Sequence, residues 1–198
     1  MHALMLTALC ALPVAAASGQ VVFDEATDGD LSTDPLAPTG LDLNVGSNIV
    51  SGTVTSPGDT RDFFTFEIGA GESLTGIFLL DYTDVDSGGN GDRGFIHIDE
   101  GNTSVVPSGG TAGEFLGGSH LDRGLIPDEN FNVLERLAGA PQGGTGFTAP
   151  LGPGTYTINV QQTGPELTAY ALDLVVVPAP GSLAVLGLGG LAAVRRRR

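Results

Sequence analysis

The sequence predicts an all-β protein, an antiparallel β-sandwich of the jelly-roll kind, and three observations support this prediction. Apolar and polar side chains alternate with a period of two over 62–68 and again over 155–161, as in strands with one buried face. The 31 glycines and 12 prolines divide the chain into short, strand-length segments. Between the two chain ends, helical periodicity is weak and confined to Asn130–Leu137. Short strands separated by turns are typical of sandwiches and jelly rolls.

Residues 18–40 form an acidic lead-in to this domain. Glycine, proline and aspartate crowd the segment, so the pattern predicts either a loop or a short edge strand at Val21–Phe23 followed by a loop. Asp28 and Asp30 offer carboxylate oxygens, and calcium is a hard cation that takes roughly six to eight oxygen ligands. Both residues are therefore candidate calcium ligands, and a solvated acidic loop is the alternative.

Residues 41–177 carry the strands of the predicted sandwich domain. Their alternating runs predict an antiparallel meander with one solvent-exposed face. Turns rich in glycine, proline and aspartate separate the predicted strands, which are Leu41–Val45, Ile49–Val54, Asp62–Ile68, Ser73–Tyr82, Thr155–Gln161 and Tyr170–Val176.

Two blocks of this domain resemble the bacterial pre-peptidase C-terminal domain. The early block consists of Gly52-Thr53-Val54, Gly58-Asp59 and Arg61-Asp62-Phe63-Phe64-Thr65-Phe66, and the late block is Gly154-Thr155-Tyr156-Thr157-Ile158. The resemblance implies a jelly-roll-like, non-catalytic accessory module. Relatives of this kind include modules that bind calcium or matrix polymers.

Residues 84–146 depart from that resemblance and form a glycine-rich insert. The insert begins with Asp84, Asp86 and Asp92 among glycines and an asparagine, and the first two resemble the start of an EF-hand loop. The twelfth position of such a loop, where a bidentate carboxylate closes the calcium site, is Phe95. The three aspartates are candidate calcium ligands, and an acidic flexible turn is the alternative.

The insert also contains two histidines, His97 and His120, each standing two residues before an aspartate. Positions i and i+2 of a strand share a face, so His97 with Asp99 is a candidate edge of a metal site. Exposed surface histidines are the alternative interpretation of the same pattern. Ser119 beside His120 lacks the arrangement of a nucleophile and base. A secreted polysaccharide hydrolase with its site in this insert stays open as the enzymatic alternative.

Both chain ends are predicted targeting segments. Residues 1–17 contain an apolar stretch followed by Ala15-Ala16-Ala17, a pattern typical of a secretory signal peptide. At the other end, Leu183–Val194 is a predicted hydrophobic helix without a polar side chain, and it precedes Arg195, Arg196, Arg197 and Arg198. Arginine resists translocation, so these four residues are expected to stop transfer at the inner membrane. The apolar run is short for a permanent anchor across a hydrocarbon core of about 30 Å.

Residues 178–198 together resemble the PEP-CTERM sorting signal of bacterial exported proteins. The resemblance depends on the order of Pro178-Ala179-Pro180, apolar helix and arginine cluster, with Ala179 where that family usually has Glu. It implies a transient inner-membrane intermediate that an exosortase-like membrane protease cuts at the motif. The released protein is then expected at the cell surface or in the extracellular matrix.

The charge between the two ends restricts the partners. Four arginines there face 23 acidic residues, a net charge near −19 that repels nucleic acid. The single cysteine, Cys10, lies in the predicted signal peptide, which excludes a disulfide in the mature protein. We therefore expect an exported, non-enzymatic structural or adhesive protein, with calcium as candidate cofactor and exopolysaccharide as candidate partner. A calcium-dependent carbohydrate-binding module is a further alternative.

Overall fold

The computed structural model describes residues 19–84, 94–104, 115–121, 132–139, 144–162, 164 and 167–179. That part of the chain forms nine strands and two short helices. In chain order they are β1 (Gln20–Asp24), α1 (Glu25–Asp28), β2 (Thr39–Leu41), β3 (Gly46–Thr55), β4 (Arg61–Ile68), β5 (Glu72–Asp84), β6 (Gly94–Glu100), β7 (Gly117–Leu121), α2 (Val133–Ala138), β8 (Gly154–Gln162) and β9 (Leu167–Pro178).

The strands form two sheets that share one hydrophobic core. The first sheet has four strands in the order β1-β3-β9-β5, and the second has five in the order β2-β4-β8-β6-β7. Val50 and Leu172 of the first sheet and Phe64 and Ile158 of the second are all fully buried members of this core. The prediction of an all-β protein is confirmed.

Strand β4 shows how the alternation places residues on the two faces of a sheet. Phe64, Phe66 and Ile68 are buried in the core, while Glu67 is exposed. Because side chains at positions i and i+2 of a strand share a face, Asp62 points to the core with the three apolar residues. The strand therefore carries a carboxylate into the space between the sheets.

The strand order differs from the predicted meander. Strands β1 to β6 alternate between the two sheets, whereas β6, β7 and β8 all lie in the second sheet and β9 returns to the first. Strand β3 instead pairs with β9 and β4 with β8, both antiparallel, over 10 and 8 residue pairs. The meander prediction is wrong because the period of two determines which face of a strand is buried, not which strand lies beside it.

Residues 19–41, which we call the N-terminal strap, connect the two sheets. Strand β1 pairs with β3 at the edge of the first sheet and β2 pairs with β4 at the edge of the second, both in parallel. The predicted edge strand at Val21–Phe23 is confirmed as part of β1. The predicted antiparallel pairing and the predicted strand Leu41–Val45 are wrong here, since the strap crosses between the sheets instead of returning as a hairpin and β2 ends at Leu41.

The described parts of the predicted insert belong to the core. Strand β6 lies between β8 and β7, and the weak helical signal is confirmed as α2. Asn132 caps this helix, because its Oδ1 accepts a hydrogen bond from the N–H of Leu134 at 3.0 Å. The same side chain bonds β5, accepting from Ile77 N at 3.1 Å and donating to Thr75 O at 2.9 Å. Asn132 therefore joins α2 to the edge of the first sheet.

The predicted targeting segments lie mostly outside the described residues. These include the signal peptide, the apolar run Leu183–Val194, Pro180 and Arg195–Arg198. None of the helices in the described ranges is long and apolar enough to cross a membrane. Pro178 is the last residue of β9, and the N–H of Ala179 donates to the carbonyl oxygen of Gly71 at 2.7 Å.

Candidate metal centre

Four carboxylates meet where the N-terminal strap passes the beginning of β4. Glu25 and Asp30 belong to the strap, Asp59 to the turn between β3 and β4, and Asp62 to β4 itself. One carboxylate oxygen from each of Glu25, Asp30 and Asp62 lies within 4.8 Å of the other two. Asp59 lies close enough for its charge to interact with those of Asp30 and Glu25. We call these four residues the carboxylate cluster.

A single helical turn brings Glu25 and Asp30 together. Asp24 caps this turn, α1, by accepting a hydrogen bond from the N–H of Ala26 at 3.1 Å. The turn ends at Gly29, whose φ of 95° is a conformation that glycine adopts without the strain a side chain would cause. The chain changes direction there, and Asp30 comes back beside Glu25.

Glu25 fastens the strap to the edge of β3. Its Oε1 accepts a hydrogen bond from Leu31 N at 3.1 Å, and its Oε2 accepts from Thr53 N at 2.6 Å and from Thr53 Oγ1 at 3.2 Å. The pairing of β1 with β3 ends at Ser51, so the Glu25 carboxylate takes the place of a neighbouring strand for the Thr53 amide. These bonds fix both oxygens, and Oε1, which accepts a single hydrogen bond, has a further lone pair available to a cation.

The Asp62 carboxylate is buried with one oxygen unpaired. Its residue is 0% exposed, its Oδ2 accepts a hydrogen bond from the Tyr170 hydroxyl at 2.7 Å, and its Oδ1 has no hydrogen-bond partner among the described residues. Leaving a buried polar atom unpaired costs about 1–3 kcal/mol, and more for a charged group. Burial, with a smaller contribution from the Glu25 charge, raises the pKa of Asp62 to about 9, although the Tyr170 hydrogen bond acts in the opposite direction.

Asp59 is destabilised as an anion in the same way. Burial raises the pKa of Asp59 to about 6, and repulsion by Asp30 and Glu25 contributes to this shift. Its Oδ1 is also buried without a hydrogen-bond partner in the described ranges. The described residues contain no ion pair between an arginine and a carboxylate of the cluster. The cluster therefore holds excess negative charge and unpaired oxygens.

These features fit a hard divalent cation. Two oxygens bound to one calcium ion at about 2.3–2.6 Å lie no more than about 5 Å apart. The separations within the cluster, up to 4.8 Å, meet this condition. Calcium accepts a flexible shell of oxygens, whereas magnesium demands near-ideal octahedral geometry at about 2.1 Å and retains several waters. The arrangement therefore suits calcium better than magnesium.

The structure brings one sequence-predicted ligand, Asp30, into the cluster. Asp28 lies on α1, where its Oδ2 accepts a hydrogen bond at 2.9 Å from the backbone N–H four residues earlier. Asp84 is the last residue of β5, and Asp86 and Asp92 lie outside the described residues.

The other cluster members, Glu25, Asp59 and Asp62, are not among the ligands predicted from the sequence. The sequence does contain a signal for Asp62, because this residue shares a face of the alternating strand with Phe64 and Phe66. A carboxylate at an inward position needs a partner, a cation or a proton. Its proximity to Glu25, far away along the chain, follows only from the path of the strap.

A second polar group lies on the face of the five-stranded sheet that points away from the core. His97 and Asp99 share a face of β6 as expected, and the distance from His97 Nε2 to Asp99 Oδ2 is 3.3 Å. Ser104 Oγ donates a hydrogen bond to Asp99 Oδ2 at 2.6 Å and lies 3.0 Å from His97 Nε2. The surface-histidine interpretation is wrong for His97, which is 1% exposed, because Ser104 and the stacked ring of Phe115 cover it.

These three side chains do not have the arrangement of a catalytic triad. In a triad, the carboxylate binds the imidazole nitrogen opposite the one that faces the hydroxyl. Here Asp99 and Ser104 both lie at the Nε2 of His97. The Ser104 residue is also only 3% exposed. The geometry supports a structural role for this group.

Comparisons with protein-family models, with curated proteins and with solved structures find no match for this chain. The class of this protein is therefore stated from its own fold and site. It is a two-sheet all-β domain in which the N-terminal strap places carboxylates beside a buried aspartate.

Proposed function

We propose that this chain is an exported, non-enzymatic β-sandwich of the cell surface or extracellular matrix, and that its carboxylate cluster binds calcium as a structural ion. The observation that carries the calcium assignment is the buried, unpaired Oδ1 of Asp62 within a group of converging carboxylates. A divalent cation gives this oxygen the partner that it lacks. Its positive charge also offsets the repulsion among the carboxylates.

A calcium site is consistent with the proposed location of the protein outside the cell. Extracellular calcium modules bind the ion with dissociation constants of about 10⁻⁴ to 10⁻³ M, so they fill only where calcium is abundant. A chain with 23 acidic and 8 basic residues also gains from a bound cation because its own charges repel one another. In this proposal the ion strengthens the sandwich after export.

The proposed destination depends on the two chain ends. The signal peptide at 1–17 directs export, and the tail at 178–198 delivers the chain to an exosortase-like protease in the inner membrane. Exopolysaccharide of the matrix is the proposed partner of the released domain. Mass spectrometry of the surface and extracellular fractions tests this, and we expect mature chains that end near Pro178–Pro180. Intact chains that retain Arg195–Arg198 in the cytosol contradict the proposal.

The strand order supports a jelly-roll-like topology for the sandwich. Strands β1 to β6 alternate between the two sheets instead of forming successive hairpins. The non-enzymatic role is supported by burial, since Asp62, His97 and Ser104 have their reactive atoms inside the protein. A substrate polymer has no access to these side chains.

Calorimetric titration of the full chain with calcium tests the metal site. We expect wild-type protein to bind calcium and Asp62→Asn to lose the corresponding heat. Asp28→Asn is the matched control, because Asp28 is another aspartate of the same strap whose carboxylate bonds the backbone of α1. Equal binding by wild-type and Asp62→Asn contradicts the assignment.

A parallel screen for polysaccharide hydrolysis tests the non-enzymatic role. Any hydrolytic activity that a single carboxylate substitution abolishes would overturn that role.

A further inference from the structure

The carboxylate cluster draws its members from two parts of the molecule that are otherwise joined by few bonds. Glu25 and Asp30 lie on the N-terminal strap, and Asp59 and Asp62 lie on the sandwich. The strap pairs with the sheets over only four residue pairs in β1 and three in β2. The pairs within the sandwich are longer, with 10 between β3 and β9. A cation bound by the cluster would therefore cross-link a weakly held segment to a strongly held one.

The strap also contributes a residue to the core and bonds the backbone of the second sheet. Leu31 is buried in the core, and the carbonyl oxygen of Ser32 accepts a hydrogen bond from Phe63 N at 2.8 Å. Phe63 is 0% exposed although it lies on the face of β4 that points away from the core, opposite to Phe64. Farther along, the carbonyl oxygen of strap residue 35 accepts a hydrogen bond from Ser104 N at 2.7 Å. Opening of the strap would therefore free the amides of Phe63 and Ser104 and remove Leu31 from the core.

We propose that calcium is the latch of this strap: the bound ion holds residues 25–38 against the sandwich, and its loss releases that segment while the two sheets stay folded. The inference rests on the cation site proposed above. Without the ion, the negative charges of Glu25 and Asp30 on the strap repel that of Asp59 on the sandwich. The β3–β9 and β4–β8 pairs make no use of the strap, so they persist when it opens.

The latch makes the accessibility of this segment depend on calcium. Where calcium is abundant, the strap is closed and the side chain of Leu31 is buried in the core. Where calcium is scarce, residues 25–38 become accessible to proteases, and the uncovered apolar surface becomes available for association. Regions that open locally in this way are those held by few buried contacts and few backbone pairs.

Hydrogen exchange of the full chain, followed by mass spectrometry in calcium and in EGTA, tests the latch. Three backbone amides of the sandwich report strap docking: Thr53, which donates to Glu25, Phe63, which donates to Ser32, and Ser104, which donates to Pro35. We expect all three to exchange at least tenfold faster in EGTA. Leu74 and Leu151, whose amides donate to each other's carbonyl oxygens at 2.9 and 3.0 Å away from the strap, are the reference and are expected to be unchanged.

Two variants complete the experiment. In calcium, Asp30→Asn is expected to exchange at the three reporter amides as fast as wild-type does in EGTA. Asp34→Asn, a strap substitution outside the cluster, is expected to behave as wild-type. Equal exchange in calcium and EGTA, together with calorimetric calcium binding, overturns the latch but leaves the site. Absence of calcium binding overturns the site itself, and equal acceleration at Leu74 and Leu151 overturns the latch because it shows global unfolding.

Discussion

Replacing Asp62 by asparagine separates the two effects of this residue, because they have opposite signs. Asparagine keeps the shape of the side chain and can still accept the hydrogen bond from the Tyr170 hydroxyl, but it carries no charge. In EGTA, the wild-type protein must bury a carboxylate or keep it protonated. With a pKa of 3.8 in the unfolded chain and about 9 in the folded one, keeping that proton at pH 7 costs about 4 kcal/mol.

The asparagine substitution removes that cost, although the new amide group must also be accommodated in the same buried place. We therefore expect Asp62→Asn to be more stable than wild-type in EGTA, by roughly 1–3 kcal/mol of unfolding free energy. In calcium this advantage of the variant is reduced or reversed. Wild-type gains about 2.7 kcal/mol when calcium exceeds its dissociation constant 100-fold, whereas the variant gains little because it lacks the buried charged ligand.

Equilibrium urea unfolding at pH 7, followed by circular dichroism in calcium and in EGTA, measures both effects. Asp28→Asn is the control and is expected to show the full calcium increment. Two results would refute the reasoning about Asp62. One is a calcium increment in Asp62→Asn equal to that of wild-type, and the other is an equal loss of stability in both buffers, which indicates a purely structural residue.

Three further predictions concern the site and the fold. In EGTA, wild-type stability is expected to fall as pH rises from about 4 to 9, by up to about 1.4 kcal/mol per pH unit, because the folded state keeps the Asp62 proton that the unfolded chain has released. Urea unfolding across this range checks the slope, and an identical slope in Asp62→Asn contradicts its origin. Gly52→Ala is expected to lose about 1–3 kcal/mol of stability and to weaken calcium binding, because the added Cβ would lie 2.7 Å from Tyr170 Oη and 3.1 Å from Asp62 Oδ2. Gly40→Ala, which meets no atom within 4 Å, is the calorimetric and unfolding control, and equal effects of the two substitutions contradict the prediction. Asn132→Ala is expected to lose about 2–3 kcal/mol through the helix cap and its bonds to β5, with the calcium increment intact. A change in that increment would show that α2 and the site are coupled.

The strands with one buried face were the most predictable part of the fold. The predicted strand Asp62–Ile68 is β4, and Tyr170–Val176 lies within β9. Both have a local signal, because burial of one face imposes a period of two on neighbouring residues. The pairing of β3 with β9 has no such signal, since its partners lie more than a hundred residues apart. Alternation between the sheets and the parallel strap were therefore missed.

The candidate site was predictable in part for the same reason. Asp30 stands among other acidic residues of a turn-rich segment, and this local enrichment indicates cation binding. Asp59 and Asp62 stand in a different block of the sequence, and only the crossing of the strap brings Glu25 and Asp30 to them. The position of Asp62 on the buried face of an alternating strand indicates that its carboxylate needs a partner. It does not identify that partner.

A crystal structure of the protein grown in calcium is the most direct test of the cation site. Anomalous difference density should show a calcium ion bound by Glu25, Asp30 and Asp62, with calcium–oxygen distances of about 2.3–2.6 Å. Density for a water molecule at that position, or direct hydrogen bonds between protonated carboxyl groups despite abundant calcium, would contradict the assignment.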